Sequence, residues 1–225
     1  MSKVKVVVDD GCNPELLENA FFDGLLEMPM LKKPDEIIIP KGLIPFSQRE
    51  KSRDFSEFVV FYEHDVNFGE ILREPQRFVE DIRRFQGMMT VDCSLYRDMP
   101  LAAQIINTYR NRTIGHYFQT QGIYVIPSVR WSDDRSYTDW YLPEKFAFLG
   151  VPRESIVCVG TYGCIRGKEN QFYFQAGLEA MLDELRPKVV VVYGPDSDEI
   201  FASYRHKAEF YRFPDGISSK RKPVA

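Results

Sequence analysis

Nowhere do the 225 residues hold an apolar run near the ~20 needed to cross a bilayer, so no membrane-spanning helix is expected. The opening MSKVKVVVDD turns acidic by position 9 and lacks the apolar stretch of a signal peptide, which predicts a cytoplasmic protein. Histidine is scarce: only His64, His116 and His206, with no HExxH pattern and no Cys/His cluster, so a structural zinc site has no support. The four cysteines (Cys12, Cys93, Cys158, Cys164) are scattered with no CxxC spacing, and without a secretion signal they are expected to be reduced. There is no basic excess either. With 29 Lys+Arg against 33 Asp+Glu the formal charge is −4, so any contact with nucleic acid or an anionic membrane must be a local patch. What is present is large apolar side chains, 17 Phe and 12 Tyr among them, enough to build a core and exclude wholesale disorder.

Apolar β-branched runs alternate with helical patterns. Candidate strands lie at Glu36–Ile39, Phe58–Tyr62, Met88–Cys93, Ile123–Val129, Ile156–Gly160 and Lys188–Tyr193. Most are continuously apolar, as strands buried on both faces are. One helix is expected after Glu74-Pro75, with Phe78, Ile82 and Phe85 on one face. A second runs from Pro100 toward Gln119, closed by Gly122. The clearest covers Glu169 to Leu185, with Phe174, Leu178, Met181, Leu182 and Leu185 in one stripe and Pro187 as its stop.

This order is the βαβ signature of an α/β fold. The expectation is a mainly parallel sheet of five to six or more strands with flanking helices, as an open doubly wound sheet or an incomplete TIM-like barrel. Residues 1–35 read as an outer N-terminal segment (a strand at Val4–Val8, a short helix after Pro14), 36–205 as the α/β domain, and 206–225 as a basic, flexible tail. Residues 40–57 and 131–147 read as long irregular connections.

In parallel α/β sheets ligands bind beyond the carboxyl ends of the strands. The strand exits carry Glu63-His64-Asp65, Asp92 and Ser94, Arg130 to Arg135, Thr161 to Cys164, and Tyr193 to Asp196. Four exits hold acids or arginines that should converge on one rim. Asp65 and Asp92 are the candidate metal ligands, suited to Mg²⁺ by their hard oxygens, with Glu63 and Asp133 or Asp134 as further donors. Asp92, Arg130 and Asp133 are the candidate catalytic set. Trp131, Arg135, Gly163, Cys164 and Tyr193 are the candidate substrate-binding positions. Asp92 lies inside an apolar run and needs a partner if buried, so a structural ion pair with Arg130 is the competing account of the same two residues.

The segment from Gly160 to Lys168 joins a strand to a helix, and its glycines and the helix start favour an anion. It is not a Walker A loop, since Tyr162 and Glu169 stand where glycine and Ser or Thr are required. Cys164 near that helix start is either a low-pKa nucleophile or, more simply, a packed thiol. Trp131, Tyr137, Trp140 and Tyr141, interleaved with Arg130 and Arg135, either stack bases or cover the core. His64 and His116 read more simply as loop and structural residues than as bases.

Several runs carry a family resemblance: Leu43 to Ser47, Ile126 to Asp133, Phe146 to Pro152, Gly160 to Cys164, and Leu185 to Gly194. Together, spanning roughly residues 12 to 205, they resemble the bacterial and phage family known as domain of unknown function 4417. The resemblance implies a protein of phages and other mobile elements. It places Arg130, Trp131, Asp133, Gly163, Cys164, Tyr193 and Gly194 in family motifs without assigning them a role.

Two functions follow as expectations. One is a metal-assisted enzyme acting on a phosphate-containing substrate, a nucleotide or nucleic acid, in which the acids hold Mg²⁺ and activate water while Arg130 stabilises the phosphoryl charge. The other is a non-catalytic module that holds a host protein, a nucleotide or nucleic acid through residues 130–141. A relaxase-type activity is excluded by the missing histidine pair.

Overall fold

The computed structural model describes residues 13–195 and 198–214. The strand expected at Val4–Val8, Cys12, Asp196 and the basic residues 220–222 lie outside the described residues. A single 3-10 turn at Pro14–Leu17 leads into a small hairpin, β1 (Phe22–Asp23) paired antiparallel with β2 (Met28–Pro29). The α/β body follows. β3 (Leu43–Pro45), β4 (Phe58–Val60), β5 (Gly87–Met89) and β6 (Val125–Ile126) form a four-stranded parallel sheet in that order. Between β4 and β5 lie the short helices α1 (Gly69–Arg73) and α2 (Val79–Ile82). Between β5 and β6 runs α3 (Leu101–Thr120). After the short α4 (Asp134–Tyr137), β7 (Ile156–Gly160), β8 (Val189–Tyr193) and β9 (Glu209–Phe213) form a three-stranded parallel sheet, with α5 (Lys168–Leu185) and α6 (Asp198–Ala202) as its crossovers.

A sheet of five or six strands is thus corrected to one of four and one of three. The break falls between β6 and β7, where among the described residues a single isolated bridge pairs the two sheets. Val129 N–H donates to Cys158 O and Cys158 N–H to Pro127 O, both at 2.8 Å, which pairs Ser128 with Cys158 in parallel. The strands alternate between two buried faces. Phe58, Val60, Met89, Ile126, Ile156, Cys158, Val189, Val191 and Tyr193 make one cluster to which both sheets contribute. The intervening residues face the helices: Val59, Phe61 and Met88 pack with Ile71, Ile82, Ile114 and Phe118, while Val157, Val159, Val190 and Val192 pack with Leu178, Met181 and Leu182. Side chains with two buried neighbourhoods on one strand produce the unbroken apolar runs seen in the sequence. Each such buried side chain contributes about 1.5–3 kcal/mol relative to exposure.

α5 runs as its periodicity predicts. Arg186 takes the left-handed conformation (φ 46°) that ends it, and Pro187 prevents continuation. Glu36–Ile39, by contrast, is not a strand. It lies between Pro34 and Pro40, and its backbone bonds go to a side chain: Ile38 N–H donates to the Tyr124 hydroxyl, which donates to Glu36 O. Ile37 and Ile38 pack against the cluster shared by the two sheets. The missing edge strand is Leu43–Pro45, inside a stretch expected to be irregular. The helix after Pro75 begins as a 3-10 turn, Pro75–Phe78, before α2. The expected tail from 206 is also corrected: Glu209–Phe213 pairs with β8 along five residues, burying apolar atoms of Phe210, Tyr211 and Phe213. No helix among the described residues is long and apolar enough to cross a membrane.

Candidate functional site

All the strands after β2 run parallel within their sheets, and a cavity of about 1250 Å³ opens where the carboxyl ends of six of them meet. Pro45 comes from the end of β3, Tyr62 from beyond β4, Asp92 and Ser94 from beyond β5, Arg130 from beyond β6, Gly160 from β7 and Tyr193 from β8. The first turns of α5 add Asn170, Tyr173 and Phe174. Six strand ends therefore meet at one cavity, whose walls mix aromatic side chains with polar and charged ones.

Asp92 and Arg130 form an ion pair at this cavity. Asp92 is 3% exposed, because it continues the buried strand run that ends at Cys93. Burial raises its carboxyl above the ordinary aspartate range; Arg130 pulls it down and Asp65 nearby pushes it up. For Arg130 burial opposes the charge, but Asp92 and then Cys164 hold the guanidinium above its usual value. The pairing uses Oδ2 and Nη1 and leaves two atoms over. Asp92 Oδ1 and Arg130 Nε are buried with no direct hydrogen-bond partner among the described residues, while the Ser128 hydroxyl lies near enough to Asp92 to lower its carboxyl. Such atoms are costly unless something satisfies them.

Beside this pair the Tyr62 hydroxyl donates to Cys158 Sγ (3.0 Å) and shares a 2.6 Å hydrogen bond with Ser128 Oγ. Its ring stacks on Tyr193, with centroids 5.2 Å apart. Burial, then Cys158, raises the phenol well above its ordinary value, so it stays neutral. Gly160 is needed here because a Cβ would lie 2.5 Å from the Tyr62 ring. Thr90 Oγ1 accepts from Ser128 N–H, and Asn111 on α3 donates to Val91 O and Ser128 O, so the floor is tied to the helix behind it.

Other expected site residues are placed differently. Asp133 caps α4, accepting from the Arg135 N–H (3.1 Å) and from the Arg135 guanidinium at 2.9–3.2 Å. Arg135 also donates to Arg97 O. Neither lines the cavity. Their charges are satisfied by each other across the loop, and the structure does not bring Asp133, expected to be catalytic, or Arg135, expected to bind substrate, to this cavity. Trp131 reaches the cavity but is chiefly core, packed on Phe174 and so close to Gly177 that a Cβ there would meet its ring at 2.2 Å. Tyr137 is buried as well, while Trp140 and Tyr141 are exposed.

Asp65 accepts from Ser94 N–H (3.1 Å) and Ser94 Oγ (2.7 Å). With Asp65 turned to Ser94 and Asp92 to Arg130, the two do not make the expected metal pair. Among the described residues no three His, Cys, Asp or Glu side chains assemble to hold a metal ion. The residues present therefore do not fit the Mg²⁺ centre that the strand-end acids suggested.

Gly163, Cys164 and Tyr193 do line the cavity. Gly163 has φ +75° and open space around it. Cys164 Sγ lies 3.9 Å from Arg130 Nη2, yet burial raises its thiol above the usual value despite that cation, which argues against a nucleophilic thiolate. Cys93 is pushed up to about 12 by burial.

Sequence reasoning passed over Tyr62, Ser128 and Arg112. Arg112 is fully buried on α3 and donates to Leu149 O (2.9 Å) and Ala147 O (2.8 Å); burial lowers its pKa to about 9. A signal existed. Gln104, Thr108, Asn111 and Gly115 fall at steps of three or four with Phe118, which marks a buried polar stripe rather than a wet face.

Comparison with known proteins adds a family. The model described as Domain of unknown function (DUF4417) matches residues 20–214. The Gene 1 protein of Mycobacterium phage D29 is 34% identical over 134 residues, covering 60% of this chain and 47% of that protein. The Gene 1 protein of Mycobacterium phage L5 is 32% identical over 134 residues, covering 60% and 56%. The chain thus spans about half the length of the curated relatives it matches. No solved structure matches.

Proposed function

This chain belongs to the family described as domain of unknown function DUF4417, with relatives in phages, and we propose that its strand-end cleft binds a base-bearing ligand of the nucleotide class. We read the two sheets as one incomplete TIM-like barrel, with the cluster they share as its interior and the Ser128–Cys158 pairing as its seam. In that reading the cleft lies at the catalytic or binding face of such barrels.

One observation carries the ligand class. A buried acid–guanidinium pair with one acceptor (Asp92 Oδ1) and one donor (Arg130 Nε) left over lies at a cavity walled by Tyr62, Trp131, Tyr173, Phe174 and Tyr193. A nucleobase offers both features that such a site asks for: a flat face for aromatic contact and an edge bearing N–H and lone-pair groups side by side. The proposal concerns binding; the metal-assisted step is not carried forward, because Asp65 and Asp92 are each engaged elsewhere.

Trp131 lines the cavity and only two tryptophans exist, so binding can be followed by fluorescence. Saturable quenching by nucleosides, weakened about tenfold or more in Asp92→Asn, is expected, since a hydrogen bond to a charged acceptor is worth about 1.5–3 kcal/mol. Quenching of equal affinity in a folded Asp92→Asn would sink the assignment.

A second surface favours a protein partner. Phe21 and Leu25 are more than three-quarters exposed, as is Trp140, and the hairpin that carries the first two is clamped by Glu144, which accepts from Leu25 and Leu26 N–H. Rigidly held apolar side chains in water suit docking. Retained capture of a partner after Phe21→Ser/Leu25→Ser would count against it.

A further inference from the structure

We propose that a second cavity, lined by the Pro14–Leu17 turn, α1 and α3, binds a small organic acid. Its carboxylate is held by Arg73 and Arg110, and its carbon skeleton lies on Leu16, Leu72 and Ile114. This cavity has a volume of about 480 Å³ and shares no lining residue with the strand-end cleft, so the proposal stands apart from the base-binding reading. Small-molecule sites typically enclose roughly 300–1,000 Å³.

Helix geometry brings the two arginines to it. On α1 the lining residues are Gly69, Leu72 and Arg73; on α3 they are Arg110, Thr113 and Ile114. Each set follows the i, i+3, i+4 spacing that gathers side chains on one helix face. Each face thus offers one guanidinium beside apolar carbon. Leu16 and Ile114, both 2% exposed, form an apolar floor, and the exposed Val66 stands at the edge. Asn13, whose side chain caps no turn, adds an amide to the third wall.

Charge is the observation that points to an anion. The chain is formally −4, yet among the described residues no acidic side chain lines this cavity. α3 contains neither Asp nor Glu. The acids nearest Arg73 in sequence serve another arginine: Glu74 pairs with Arg77 at 2.6 Å, and Glu70 also acts on Arg77. Asp65, next to Val66, accepts from Ser94. Among the described residues Arg73 makes no hydrogen bond or ion pair, and Arg110 reaches only the neutral Asn107 Oδ1, at 3.4 Å. Two cations at one cavity repel each other, and a bound carboxylate both removes that repulsion and accepts from their planar N–H forks. The apolar part of the wall favours an organic acid over a bare inorganic anion, which gains nothing from Leu16, Leu72 and Ile114.

The test is a methyl-detected NMR titration of the full chain with isovalerate, phenylacetate and glutarate, each beside its neutral amide, and with inorganic phosphate. At least one acid should shift the Ile114 and Leu72 methyl signals saturably, with a Kd of about 1 mM or tighter. Its amide should bind about tenfold or more weaker, and Arg73→Gln and Arg110→Gln should each weaken the acid by a similar factor, the loss expected for a hydrogen bond to a charged group. Arg73 is exposed, so its variant alters the site without touching the core. An acid and its amide binding alike, or an acid bound equally well by both variants, would overturn the proposal. So would the absence of a saturable shift with every acid. Phosphate binding more tightly than all three acids would overturn the carboxylate assignment. Asp9 and Asp10 precede Asn13 in the sequence, so the titration is repeated on Asp9→Asn/Asp10→Asn. Binding seen only in that variant would overturn a free ligand in favour of the chain's own carboxylates.

Discussion

Gly160→Ala is a sharp probe of how packing between the two sheets sets the cleft. The added Cβ would sit 2.5 and 2.6 Å from two carbons of the Tyr62 ring. That ring has little freedom to retreat, being stacked on Tyr193 and hydrogen-bonded to Ser128 and Cys158. Overpacking a buried site costs about 1–3 kcal/mol, and loss of a Tyr62 hydrogen bond adds about 1 kcal/mol. The sum is about 2–4 kcal/mol, which for a chain of this size lowers Tm by about 4–16 °C. Because Tyr62 lines the cavity, its displacement also narrows the ligand site, so nucleoside affinity should fall with stability. The assay is a double-mutant cycle by thermal unfolding with Tyr62→Val as the second change. In the valine background the same alanine should cost less than about 1 kcal/mol, since the ring it collides with is gone. If Gly160→Ala leaves Tm within 1 °C of the parent, or costs the same in both backgrounds, the packing argument is wrong.

Further outcomes can be checked in the same preparations. Asp92 is held above the ordinary aspartate value, so the folded state binds its proton more tightly than the unfolded chain. Stability should therefore fall as pH rises from the ordinary value through the raised one, and Asp92→Asn should flatten that slope in urea titrations across pH 3.5–7. Asp133→Ala removes a helix cap and the partner of Arg135, and should lower stability by about 1–2 kcal/mol in urea unfolding while leaving ligand affinity within about twofold. Among the described cysteines, mass spectrometry should find Cys164 alkylated well before Cys93 and Cys158, and faster as pH rises, because the latter two are buried and their thiols raised. Titration with Mg²⁺ or Mn²⁺ should give no saturable heat that depends on Asp92, since its carboxylate is held by Arg130 and Asp65 by Ser94.

Much of the fold could be read from the chain because periodicity reports burial. Phe174, Leu178, Met181, Leu182 and Leu185 draw the α5 stripe, and Val189 to Tyr193 reads as a strand covered on both faces, as it is. Glu36–Ile39 misled for the same reason: burial gave it a strand's composition, but Pro34, Pro40 and the Tyr124 hydroxyl leave its backbone no neighbouring strand. β3 and β9 escaped because each is an edge strand with partly exposed side chains, so neither shows a continuous apolar run. At the site, the position of Asp92 within an apolar run already demanded a partner, and Arg130 is that partner. For Asp133 and Arg135 an exit loop full of charge looks the same whether its charges face a ligand or each other, and here the two are paired. The Tyr62–Ser128–Cys158 contacts join residues 66 and 96 positions apart, and no local pattern encodes such a meeting.

The central claim is that the floor of the cleft receives the edge of a base. A crystal structure of the chain with the best-binding nucleoside tests it most directly. The account predicts a ring N–H within ~3 Å of Asp92 Oδ1. A ring bound elsewhere, with Asp92 Oδ1 satisfied by water alone, would contradict it.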